Sequence, residues 1–157
     1  MASELPTFPH LVFTILEPIS LLAGAFPAIL SPAWFISQQI DSPVPVSSTA
    51  QAELVAQQLG NCYFLAFLLG VAVLYSTTEI RVVRSYLFAL WIADISHIAI
   101  TMFGLGYGAT MAPGSWNSMA WGNIGVTGFL FLTRSAYFIG VFGSDKPQLR
   151  SNGKKSQ

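Results

Sequence analysis

An aspartate and a histidine stand three residues apart in WIADISHIAIT (91–101), inside a stretch that otherwise reads as membrane-spanning. A charge at the bilayer centre costs about 2.5–3.5 kcal/mol on insertion scales, so the fold or the function must offset it. Glu17 and Arg134 raise the same question in two other apolar runs. Measured from the expected cytosolic helix ends, Glu17 lies about 9 Å deep, Asp94 about 12 Å, His97 about 16 Å and Arg134 about 12 Å. Three helices thus carry ionisable groups to nearly one level. Asp94, His97 and Thr101 share one helix face, as do Arg134 and Tyr137, and lipid would repel both faces. Asn61, with Gln57, is expected to form a far polar wall on another helix.

Arg134 stays protonated and can hold one carboxylate through a bidentate pair. Two carboxylates face it, which leaves one acid in low dielectric, where the neutral form is favoured. A neutral acid beside a histidine is equipment for proton transfer. The plainer alternative is that Asp94 or Glu17 pairs with Arg134 only to fix helix register, with His97 bonded to Thr101 or to a backbone carbonyl. A facial triad would need a second intramembrane histidine, so no metal is expected. Cys62, the single cysteine, has no basic neighbour, and neither a nucleophile elbow nor a redox cofactor motif is present. No cofactor is expected.

The elements that must position these groups follow from composition. Of 157 residues, 53% are hydrophobic and 9% charged, far from an average soluble protein. Net charge is zero, which gives no basis for a nucleic-acid partner. Four apolar runs, about 11–31, 54–76, 86–108 and 121–143, match the ~20 helical residues needed to cross a bilayer and lack strand alternation. The expectation is an all-α, four-transmembrane-helix bundle over 1–145, with a basic tail at 146–157. Pro18 and Pro27 should kink or open the first helix.

Arg81 and Arg84 lie in the 77–85 connection, and Lys146, Arg150, Lys154 and Lys155 in the tail; the 31–53 and 109–120 connections have no Lys or Arg. This bias places both termini in the cytosol. The opening MASELPTFPH carries Glu4 and no basic segment, so no cleaved signal peptide is expected. The final KKSQ is similar to the dilysine signal of endoplasmic-reticulum membrane proteins, the alternative being a solvated basic end. The expected location is the endoplasmic reticulum membrane, multi-pass.

The connections hold further candidates. Ser47-Ser48-Thr49 is placed to cap the second helix. Glu79-Ile-Arg81-Val-Val-Arg84 reads as a cytosolic turn held by ion pairs, with lipid headgroup contact as the alternative. Trp116, Asn117, Trp121 and Asn123 cluster in the third connection, either as interfacial anchors or as a rim that stacks on and orients a ligand. Ser20/Gly24, Gly104/Gly108 and Ala136/Gly140 have helix-packing spacing, within the bundle or across a homodimer.

LEPIS (16–20), EIRVVR (79–84), ADISH (93–97) and SWN…WGN (115–117, 121–123) together resemble a family of small fungal four-helix membrane proteins, over nearly all of 8–142. The resemblance implies that Glu17, Arg81, Arg84, Asp94, His97, Trp116, Asn117, Trp121 and Asn123 are signature positions. Remoter likenesses, to the sterol-isomerase and sigma-2-receptor group and to fungal meroterpenoid cyclases, differ in motif order and in helix number. They imply acid–base chemistry on a lipophilic molecule. The expected function is therefore a small membrane enzyme of fungal secondary metabolism performing isomerisation, cyclisation or epoxide opening. Glu17 or Asp94 would be the acid, His97 the base or relay, and Arg134 the carboxylate orienter. The alternatives are a sterol- or lipid-binding or transport-associated protein, and a structural membrane subunit.

Overall fold

The computed structural model describes residues 5–40 and 47–145. The chain forms α1 (Thr7–Leu30), a short α2 (Pro32–Ser37), α3 (Ala50–Ser76), α4 (Ile80–Thr110) and α5 (118–138), with a 3-10 turn at Pro113–Ser115. Among the described residues there is no strand. α1, α3 and α4 are each long and apolar enough to cross a membrane. α5 joins Ser118–Ala120, Trp121–Val126 and Thr127–Phe138 without a break, a length of about 30 Å. Leu30, Ile100 and Phe103 point outward, as suits a helical membrane protein whose outer surface meets hydrocarbon rather than water.

Several boundaries differ from those expected. Arg81 and Arg84 belong to the opening of α4, with Glu79 as its N-cap residue, so the connection before it shrinks to 77–79. Long arginine stems can reach back to the interface, and a charge therefore need not mark a helix end. Among the described residues no ion pair holds this segment as the expected turn: Arg84 pairs instead with Asp145, Nε to Oδ2 3.8 Å. The long first connection contains α2, with Ser31 at its N-cap and Pro32 at its first position. Pro43, Pro45, Glu4 and the tail with Lys146, Arg150 and KKSQ lie outside the described residues.

α1 opens as a regular α-helix over Thr7–Leu11 and is then interrupted. Residues Val12–Leu16 form a π turn, in which the Glu17 N–H bonds the Val12 carbonyl. Pro18 follows at once and has no N–H for the Thr14 carbonyl four residues earlier. The Tyr75 hydroxyl of α3 donates to that carbonyl at 3.0 Å. The proline is thus accommodated by a neighbouring helix, which bilayer-embedded backbone requires. α3 opens as anticipated on Thr49, whose Oγ1 accepts the Ala52 N–H at 3.2 Å.

α1 and α3 cross where a Cβ on Gly60 would stand 2.7–3.0 Å from Ile29, Ala28 and the Ala25 carbonyl. Gly24 sits against the Tyr63 ring. Gly104 and Gly108 have nothing within 4 Å of where a Cβ would stand, and Gly140 ends α5 at φ +80°. Of the three expected pairs, close packing is therefore found at Gly24. Among the described residues Gly104, Gly108 and Gly140 have no close neighbour, and the tight crossing at Gly60 was not anticipated. α4 and α5 are joined by Trp91, which stacks on Phe131 and donates from Nε1 to Ser135 Oγ at 2.9 Å.

Two apolar clusters close the two ends. Leu5, Val12, Phe13, Leu74, Val83, Leu87, Leu130 and Tyr137 share one cluster, so both described chain ends lie beside the α3–α4 turn. Ala28, Phe35 and Ala56, with Met119 and Tyr63 packed on them, close the other, where α2 lies.

Gly60→Val should force α1 and α3 apart at a cost of about 1–3 kcal/mol, seen as a lower thermal midpoint in detergent, while Gly104→Ala should leave the midpoint unchanged or raise it. Tyr75→Phe should cost about 1–3 kcal/mol by leaving the Thr14 carbonyl unpaired. An unchanged midpoint for Tyr75→Phe would show that another donor serves it.

Candidate functional site

Arg134 of α5 has no exposed surface at all. Its Nη1 donates to Asp94 Oδ2 of α4 and its Nη2 to Glu17 Oε1 of α1. Both carboxylates are buried. One guanidinium thus ties three helices together. The Phe13 ring, one turn before Glu17, lies 5.1 Å from the guanidinium carbon and adds a cation–π contact. Glu17 Oε2 and Arg134 Nε are buried without a hydrogen-bond partner among the described residues.

The local fold explains how these groups meet. An extra residue in a π turn rotates the following helix face by about 100° relative to what precedes it. One such turn ends immediately before Glu17, and a second, Trp121–Val126, lies two turns before Arg134. Asp94 needs no such device, because α4 is regular around it.

The sharing of charge differs from the expected bidentate pair with one acid left over. α1 and α4 approach the guanidinium from two sides, so each carboxylate takes one terminal nitrogen. The cluster still counts two carboxylates for one cation. It can carry a net negative charge or hold one proton.

His97 is half-buried and one turn from Asp94, on the side towards α2. Asn123 Nδ2 donates to Gln39 Oε1 at 3.4 Å. Thr101 Oγ1 bonds the backbone carbonyl of His97 at 2.9 Å, not its ring. Trp116 donates from Nε1 to the Ala109 carbonyl at 2.9 Å. Asn117 caps α5, Oδ1 accepting the Ala120 N–H at 2.9 Å, and its Nδ2 donates to the Gln38 carbonyl at 3.0 Å. Both side chains are therefore engaged by the fold. Trp121 packs edge-on against Trp116 and stays half-exposed. A cleft of about 130 Å³ is lined by Ile40, Leu105, Ala109, Ser115, Trp116 and Asn117 among others.

Two expected residues stand apart from the cluster. Asn61 is exposed on α3 and is not part of a polar wall with it. Tyr137 is buried but turns its hydroxyl to Asp145 Oδ1 at 2.9 Å, with the Arg84 guanidinium carbon 5.7 Å from its ring. Among the described residues no three His, Cys, Asp or Glu side chains gather in a way that would hold a metal ion.

Tyr86 was not anticipated. It lies in the field of Glu17 and Arg134, and its hydroxyl would be 2.9 Å from a Cβ on Gly70. Nothing in the spacing of Tyr86 and Gly70 marks them as neighbours. Phe13, by contrast, is four residues before Glu17, and that spacing could have placed it beside the cluster.

Arg134→Leu should cost about 3–5 kcal/mol, because two buried carboxylates lose their cation. Arg134→Lys should not restore stability, since an ammonium lacks the planar fork. Replacing all three, Glu17→Gln, Asp94→Asn and Arg134→Met, should recover most of it. Unfolding midpoints in mixed micelles check the series, and a triple variant no better than Arg134→Leu would contradict it.

No curated protein and no solved structure is similar enough to this chain to count as a match. One family does match, described as a domain of unknown function and designated DUF7704, over residues 2–144. Since that match spans almost the whole helical bundle, the chain belongs to the DUF7704 family.

Proposed function

We propose that this protein is a four-span enzyme of the endoplasmic reticulum membrane, with both termini in the cytosol, that performs acid–base chemistry on a lipophilic molecule. The observation that carries the reading is the sharing of one fully enclosed guanidinium by two carboxylates, with a second Glu17 oxygen that has no partner among the described residues. Ionisable groups in a bilayer interior are functional by default, and a two-to-one charge ratio provides a place for one mobile proton.

In this reading Glu17 gives its proton to an alkene carbon or an epoxide oxygen. The developing cation then loses a proton elsewhere to His97 or Asp94, either directly or after closing a ring, so isomerisation and cyclisation leave the mass unchanged. Epoxide opening by water adds one water. Arg134 holds both carboxylates in place. The setting implied by the resemblance is fungal secondary metabolism, with terpenoid- or polyketide-like substrates.

A second reading is favoured by one observation: Arg134 is wholly enclosed, as a packing clamp would be. The two separate by experiment. Expressed in a host lacking related pathways and fed prenylated or polyketide intermediates, the protein should yield a mass-neutral or hydrated product. Glu17→Gln and Asp94→Asn should each lower turnover at least about 100-fold while helix content is retained. The absence of product across a broad panel, with the same substitutions only lowering stability, would favour the clamp.

A further inference from the structure

α3 buries one face and leaves another open. Ala56 packs with Ala28 of α1, Gly60 meets the same helix, and Gly70 meets Tyr86 of α4. Leu54, Gln58, Asn61, Leu65, Leu68 and Ala72 recur at steps of four and three, so they form one stripe along the helix. All six are exposed. At about 100° per residue this stripe lies on the far side of α3 from Gly60. Counted from Leu54, where the apolar run begins, Gln58 is about 6 Å deep and Asn61 about 10 Å. Gln57 donates to the Ile29 carbonyl of α1 at 3.4 Å. Among the described residues neither Gln58 nor Asn61 has a hydrogen-bond partner. Hydrocarbon offers an amide nothing to bond, and an asparagine is too short to reach back to the interface.

We infer that this stripe is the interface between two copies of the chain, with Gln58 and Asn61 bonding their counterparts in the second copy. Copies inserted with the same orientation bring each residue to the depth of its own counterpart. Their α3 helices then run parallel about a two-fold axis along the membrane normal. A side-chain amide both donates and accepts, so Asn61 satisfies Asn61 and Gln58 satisfies Gln58 with no change of charge. Such hydrogen bonds across helices drive association in lipid, where apolar surface alone gives little drive. The four-three repeat suits helices that cross at about +20°, and Leu65, Leu68 and Ala72 continue the contact towards the α3–α4 turn. α3 gives no residue to the ion cluster, so the interface is independent of the acid–base reading.

Full-length copies labelled at the C-terminus with donor or acceptor dye, in phosphatidylcholine liposomes, should show energy transfer that falls as lipid is added. Gln58→Leu with Asn61→Leu should weaken association at least about tenfold while helix content is retained. Asn61→Gln should largely preserve it. In a Cys62→Ala background, Leu65→Cys should oxidise to a linked dimer, and Ile100→Cys, outward on α4, should not. A monomer at every protein-to-lipid ratio, leaving the amides to water or to another partner, would overturn the interface. So would association that survives the double leucine variant, or a linked dimer formed by Ile100→Cys and not by Leu65→Cys.

Discussion

A single guanidinium enclosed between three helices is the constraint on which this fold turns. Placing Glu17, Asp94 and Arg134 in a bilayer would be costly for each alone, and only mutual contact makes the set tolerable. Contact in turn demands that α1, α4 and α5 keep one register, because sliding any helix by a turn, about 5.4 Å, would break an ion pair. The cluster therefore dictates geometry as well as tolerating it. Such a buried ionic group contributes specificity of packing more surely than it contributes stability.

The backbone irregularities follow from the same demand. The π turn at Val12–Leu16 precedes both Glu17 and Pro18, so a single irregular turn aims the carboxylate and is followed by a residue that cannot donate. Tyr75 of α3 compensates by bonding the freed carbonyl. α3, which gives no residue to the ion cluster, is thereby tied to the helix that does. At the other end α2 folds across the bundle, where Phe35 packs with Ala28 and Ala56 and the two glutamines meet Asn117 and Asn123. The charged centre is thus held between the apolar cluster around Leu5, Phe13 and Tyr137 and a polar belt near α2.

Much of this was legible in residue order. Run length and composition marked helices α1, α3 and α4, and simple depth counting brought Glu17, Asp94 and Arg134 to one level. Thr49 could be recognised as a cap from its type and place. Other features were out of reach because they depend on rotation about a helix axis. Depth says nothing of which side of Arg134 each acid approaches, so the shared fork replaced the expected bidentate pair. Asn61 looked polar enough for a site but lies on an outer face of α3. Asn117 and Trp116 were read as possible ligand contacts, whereas they close backbone groups at helix ends. α2 had a readable signature in Ser31-Pro32 that the length of the connection obscured.

Membership of the DUF7704 family covers the helices that form the cluster but carries no activity with it, so the chemistry must be judged at Arg134 itself. The most direct test is magic-angle-spinning NMR of the labelled protein in lipid bilayers, correlating the Arg134 guanidinium nitrogens with carboxyl carbons. The shared arrangement predicts two distinct contacts, one terminal nitrogen to Asp94 and the other to Glu17. Both nitrogens correlating with a single carboxylate, or with neither, would contradict it.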